Sequence, residues 1–146
     1  MRTIAAAIGL AAVAAASSAA GPRTFEMRFV AACTPQTQVY ALVGTGEQLC
    51  FSDEHILSAA SVLRARRGAA SGTVDLDITP TASETLHDAA IDDPERRIGI
   101  LFGDRLIYAA EIAAPLRAGF LELDLGNDPD DIDALVSAFP GKEAAE

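Results

Sequence analysis

The chain has 146 residues, half of them hydrophobic, and carries 11 basic against 21 acidic side chains for a formal net charge of −10. An acidic surplus of that size argues against nucleic acid and anionic lipid surfaces as partners, because both are bound through a basic stripe. Two histidines and two cysteines leave little material for Ser-His-Asp or Cys-His catalysis.

The first twenty residues read as a leader. Met1-Arg2 is a short basic start, Ile4 to Ala16 an apolar run, and Ser18-Ala19-Ala20 a small-residue cleavage site, placing the cut after Ala20. The run is shorter than the ~20 residues that cross a bilayer as a helix, so stable membrane insertion after cleavage is not expected; an uncleaved anchor is the alternative. Residues 21–140 are expected to form one domain, 141–146 a flexible tail, and the protein is expected to be periplasmic or secreted from a bacterium. One lysine, Lys142, against ten arginines agrees with a GC-rich bacterial source.

Phe25, Met27 and Phe29 alternate, as do Tyr40 and Leu42 ahead of Gly44-Thr45-Gly46, so Cys33 and Cys50 fall near the ends of neighbouring short strands. Two cysteines in an exported chain allow one intramolecular pair, and a Cys33–Cys50 disulfide is expected, with two buried free thiols as the alternative. Residues 52–72 are ambiguous. Ser52-Asp53-Glu54 could cap a short helix through Ile56 and Leu57, and Val62 to Arg66 reads as a strand pairing back across Gly68 to Gly72.

From Thr73 onward the elements are legible. Val74, Leu76 and Ile78 alternate with Asp75, Asp77 and Thr79, giving a strand with one buried face. Thr79 is placed to cap a helix that starts at Pro80 and turns Ala82, Leu86, Ala89 and Ala90 to one side. Ile98, Ile100 and Phe102 alternate up to a two-residue Gly103-Asp104 turn, and Arg105 to Ile112 returns as the second strand of a hairpin. Leu121, Leu123 and Leu125 form the inner face of a further strand. Asp128 then caps a last helix, with Pro129 at its first position, Asp130 and Asp131 against the helix dipole, and Ile132, Leu135, Val136 and Phe139 as its apolar stripe. The fold class is therefore α+β: a small, mostly antiparallel sheet with two helices packed on it, a β-α-β-β-β-α core, and short N-terminal strands.

No catalytic residue, cofactor site or metal site is expected. His55 and His87 read as solvated side chains with no nucleophile and orienting group at a useful spacing. The run from Asp124 to Asp133 departs from the pattern of a calcium loop, with Pro129 where the motif would not have it, and helix capping accounts for Asp128, Asp130 and Asp131. Gly44-Thr45-Gly46 has no following lysine and is no phosphate loop. The remaining lead is apolar: in a regular hairpin Leu101 faces Leu106 and Gly99 faces Tyr108, opposite Ile98, Ile100 and Phe102, so both hairpin faces are apolar. Either helices cover both faces, or Leu101, Leu106, Tyr108 and Phe120 form an interaction surface for an extended chain or protein partner.

The order of these pieces resembles the P1 head subdomain of the SecD/SecDF protein-export subunits, in which a strand ending in threonine leads into a helix, a hairpin, a proline and glycine, and a final strand and helix. The matching residues are Val74 to Thr79, Ile98 to Ile112, Ala114-Pro115-Leu116 with Gly119, and Asp130 to Phe139. Three features depart from that family: Gly103-Asp104 stands where aspartate then glycine is usual, Ala110 stands where proline is common, and transmembrane helices are not seen. The resemblance implies a free-standing exported head that contacts polypeptide or an envelope protein in protein transport. It carries over no coupling to a proton gradient, which in that family needs the membrane helices. A structural or weakly calcium-binding envelope protein is the alternative function, and a hydrolase the less favoured one. The sequence leaves partner identity and oligomeric state open.

Overall fold

The structure, a computed structural model, describes residues 24–126 and 128–141; the expected leader, its cleavage site and the tail beyond residue 141 lie outside them. In chain order the elements are β1 (Phe25–Ala31), β2 (Tyr40–Ala41), β3 (Gln48–Ser58), a 3-10 turn (Ala59–Ser61), β4 (Val62–Arg67), β5 (Thr73–Ile78), α1 (Pro80–Asp92), β6 (Arg97–Phe102), β7 (Arg105–Glu111), β8 (Phe120–Asp124) and α2 (Pro129–Ala138). The α+β class and the order β-α-β-β-β-α hold from β5 to α2. The strands divide between two antiparallel sheets, one of five strands in the order β2-β3-β1-β6-β7 and one of three in the order β4-β5-β8.

Both helices form as their capping residues dictate. Thr79 accepts a hydrogen bond from the Ala82 amide at 3.2 Å, Pro80 begins α1, and Ala82 and Leu86 are its buried residues. Asp128 accepts from the amides of Asp130 and Asp131 at 3.1 and 3.3 Å and opens α2, which buries Ile132 and Leu135. Asp131 does more than oppose the dipole. It is itself buried, and Arg105, just after the hairpin turn, donates to its Oδ1 at 2.7 Å, tying α2 to β7.

Residues 52–58 do not form a helix. They belong to β3, an eleven-residue strand paired along β1 with register shifts around Arg28, where Arg28 Nη1 donates to the Ser52 carbonyl at 2.9 Å. The irregular pairing leaves Asp53, Glu54 and His55 exposed in succession, and that polar run hides the strand's alternation. Val62–Arg67 pairs with β5 as expected. The Cys33–Cys50 disulfide is present, with a Cα–Cα distance of 5.2 Å, and joins the segment after β1 to the start of β3.

One core draws on both sheets and both helices: Phe25, Met27, Leu57, Val74, Leu76, Leu86, Ile98, Ile100, Phe102, Leu121, Leu123 and Leu135 are among its members. Phe25 stacks edge-on against Phe102 and Phe139 at 6.5 and 5.6 Å between ring centroids. A second, smaller core lies on the opposite face of the five-stranded sheet, where Leu49, Phe51, Leu101 and Leu106 pack with Val30, Tyr40, Leu42 and Ala109 around them.

Candidate functional site

The hairpin departs from regular pairing in a way that decides what each side chain touches. Leu101 opposes Leu106 as expected, but Gly99 opposes Ala109 and Ile100 opposes Tyr108, because a bulge at Ile107 inserts one residue. A one-residue slip turns the following side chain to the other face of the sheet. Tyr108 therefore joins the main core with Ile107, while Leu101 and Leu106 stay on the face of the small core.

The four side chains expected as one interaction surface are thus separated. Leu101, Leu106 and Tyr108 are buried, and Phe120, on β8 opposite Asp77, is half-buried. What covers Leu101 and Leu106 is neither helix. Leu49 and Phe51 of β3 and the Tyr40 to Leu42 segment lie over them, and Tyr40 and Phe51 have their rings 6.0 Å apart.

The sheet edges show where a partner has access. On β4, the Ala65 amide donates to the Phe139 carbonyl at 2.8 Å, so the end of α2 meets that edge at Ala65. The loop before β8 folds back on it, with Glu122 donating to Pro115 at 2.8 Å and Arg117 to Phe120 at 3.0 Å. The near end of β7 is taken too: the Val43 amide donates to the Leu106 carbonyl at 3.0 Å, and Leu42 bridges Leu106 in parallel, almost closing the five-stranded sheet into a barrel.

Beyond Leu106 that closure opens. The Ile112 amide donates to the Arg96 carbonyl at 2.8 Å, which fixes the phase of the β6–β7 ladder. By the alternation of antiparallel pairing, Ala110 and Tyr108 point their backbone groups at β6, while Ala109 and Glu111 point theirs away from it. The Glu111 carbonyl accepts from Ala114 at 2.9 Å in the following turn. Among the described residues no strand pairs with β7 on the outward side past Leu42, so the amides of Ala109 and Glu111 and the Ala109 carbonyl form an unpaired edge.

An open cleft of about 660 Å³ lies against this edge, with Leu42 to Thr45 on one side and Asp124 to Gly126, Asp128 and Pro129 on the other. Its floor is Ile107, Tyr108 and Ala109. Asp124 Oδ1 accepts from the Gly126 amide at 2.9 Å, which holds the wall in a tight turn. Burial first, and then the charges of Asp124 and Glu122 against the opposing Arg117, push the Tyr108 phenol pKa up to about 12.

The other polar groups are scattered. His55 and His87 are exposed on different elements, β3 and α1, and His87 Nδ1 lies 2.8 Å from the Ser83 carbonyl of its own helix. Asp128 caps α2, Asp131 pairs with Arg105, and Asp133 pairs with Arg67. Among the described residues no three His, Cys, Asp or Glu side chains are grouped to hold a metal ion, and no helix is long and apolar enough to cross a membrane.

The fold is similar to part of SecDF. A crystal structure of SecDF in a super-membrane-facing form superposes with a TM-score of 0.59 at 14% identity, covering 85% of this chain and 20% of that one. A structure of SecDF described as a membrane component that enhances protein export superposes with a TM-score of 0.55 at 13% identity, covering 83% of this chain and 64% of that one. The chain therefore spans a fifth of the first and just under two thirds of the second. No family model matches the chain, and no curated protein matches it.

Proposed function

We propose that this protein is an exported, non-enzymatic module that binds extended polypeptide in the cleft beside β7, in connection with protein export. The observation that supports this reading is the unpaired half of β7, opening into a cleft with an apolar floor. The β4 and β8 edges, by contrast, carry backbone bonds to the chain's own helix end and loop, from the Ala65 amide to the Phe139 carbonyl and from the Glu122 amide to the Pro115 carbonyl. An exposed strand edge beside side-chain pockets is a general way to hold an extended chain: main-chain hydrogen bonds supply affinity regardless of sequence. The likeness of fold to a protein that enhances export agrees with such a role, and the disulfide agrees with an oxidising compartment outside the cytoplasm.

A photo-crosslinking amino acid at Ala109, in the protein expressed in its native envelope, tests the reading. The expected result is crosslinks to unfolded or translocating polypeptide, with none from the same group placed at Ile91 on the exposed side of α1. Equal labelling from both positions, or none from Ala109, would sink it.

A further inference from the structure

We infer that the cleft selects segments in which basic and apolar residues alternate, added as a further strand along the Ala109 to Glu111 edge of β7. This rests on the polypeptide-binding reading above and narrows its ligand. Successive side chains of an added strand point to opposite faces of the sheet. On the face shared with Leu42 and the small core, the cleft wall is apolar. On the face shared with Tyr108, the wall carries Asp124 and Asp128.

No arginine or lysine lines the cleft. Arg105 pairs with Asp131 at 2.7 Å and with Asp128 at 3.7 Å, and Arg117, the other cation felt by Tyr108, is paired with Glu122 at 2.8 Å. Asp124 has no cationic partner of its own among the described ion pairs, and it is used only by the Gly126 amide. The chain as a whole is strongly acidic, so a basic segment is also steered toward it from a distance. An acidic segment would bring its carboxylates against Asp124 in a partly desolvated cleft, and like charges there are costly.

The test uses the full secreted chain with its disulfide intact and three short capped peptides, alternating Lys/Val, Gln/Val and Glu/Val, with affinities measured by calorimetry at two salt concentrations. The Lys/Val peptide is expected to bind about tenfold more tightly than Gln/Val and to lose that advantage at high salt, with Glu/Val weakest. D124N/D128N keeps the turn and cap hydrogen bonds, since asparagine accepts equally well, and is expected to equalise Lys/Val and Gln/Val. D88N/D92N, on exposed α1, removes the same charge elsewhere and is expected to leave the preference intact. Binding of Lys/Val is also expected to slow hydrogen exchange at the Ala109 and Glu111 amides in the unmodified protein.

Equal affinity for all three peptides with those amides protected would overturn the charge selectivity and leave polypeptide binding standing. A preference lost equally in D88N/D92N would overturn it as well, by assigning it to net charge. Binding without protection of Ala109 and Glu111 would overturn strand addition. Failure of every peptide to bind would remove the polypeptide-binding reading itself.

Discussion

The ring of Phe51 occupies the space that a side chain on Gly99 would need: a β-carbon there would lie 2.5 Å from Cε1 and 2.6 Å from Cζ of that ring. Gly99 sits in the middle of β6 with an ordinary strand conformation, so its role is to make room. Through it, β3 lays an aromatic ring across the hairpin and completes the small core.

G99A is therefore expected to destabilise the fold by about 1–3 kcal/mol, the usual range for overpacking, and F51A by about 3–5 kcal/mol through the cavity it leaves. Urea unfolding of both variants measures this. If F51L relieves the G99A defect in the double variant, the two residues are coupled as the contact requires; strict additivity would contradict it.

The Cys33–Cys50 bridge closes a loop with a sequence separation of 17. Reduction, or C33A/C50A, is expected to lower stability by about 3 kcal/mol, most of it from the unfolded chain regaining freedom. Denaturant midpoints with and without reductant decide the point. An unchanged midpoint would show that the hydrogen bonds of β1 and β3 hold that end alone.

Tyr108 supplies a pH signature. Its phenol titrates near 10 in an unfolded chain and at about 12 when folded, so the folded state holds the proton more tightly. The stability this gives is complete below about pH 10 and is lost as pH rises toward about 12, on the order of 2–3 kcal/mol across the window. Stability curves over that range should be steep for the natural protein and flatter for Y108F. Parallel curves would place the ring in water.

Two ion pairs of α2 should behave differently. Asp131 is 2% exposed and accepts from Arg105 at 2.7 Å, so R105A removes a charge-assisted hydrogen bond from a buried carboxylate and is expected to cost about 1–3 kcal/mol. The Arg67–Asp133 pair is largely exposed on both sides, and R67A is expected to cost less than about 1 kcal/mol. Thermal unfolding of the two variants side by side checks the ranking, and equal losses would contradict the burial of Asp131.

Local rules were sufficient for the second half of the chain. Thr79-Pro80 and Asp128-Pro129 start helices because their side chains and fixed φ satisfy the first free amides nearby in sequence, and the period of two in Val74 to Ile78 and Leu121 to Leu125 needs only one buried face. Two cysteines permitted one bridge, and it is formed. Tertiary structure decided what local rules do not encode. Whether Ser52 to Ser58 was helix cap or strand depended on β1, more than twenty residues earlier, whose bulged pairing scattered the alternation. Whether Tyr108 faced one core or the other depended on a single inserted residue, Ile107, which leaves no mark in composition. The cleft beside Ala109 lies where residues 42–45, 107–109 and 124–129 meet, three segments that share no periodicity and come together only when the sheet curls. Hydrophobic pattern thus set which elements form, and long-range pairing set which backbone groups were left over.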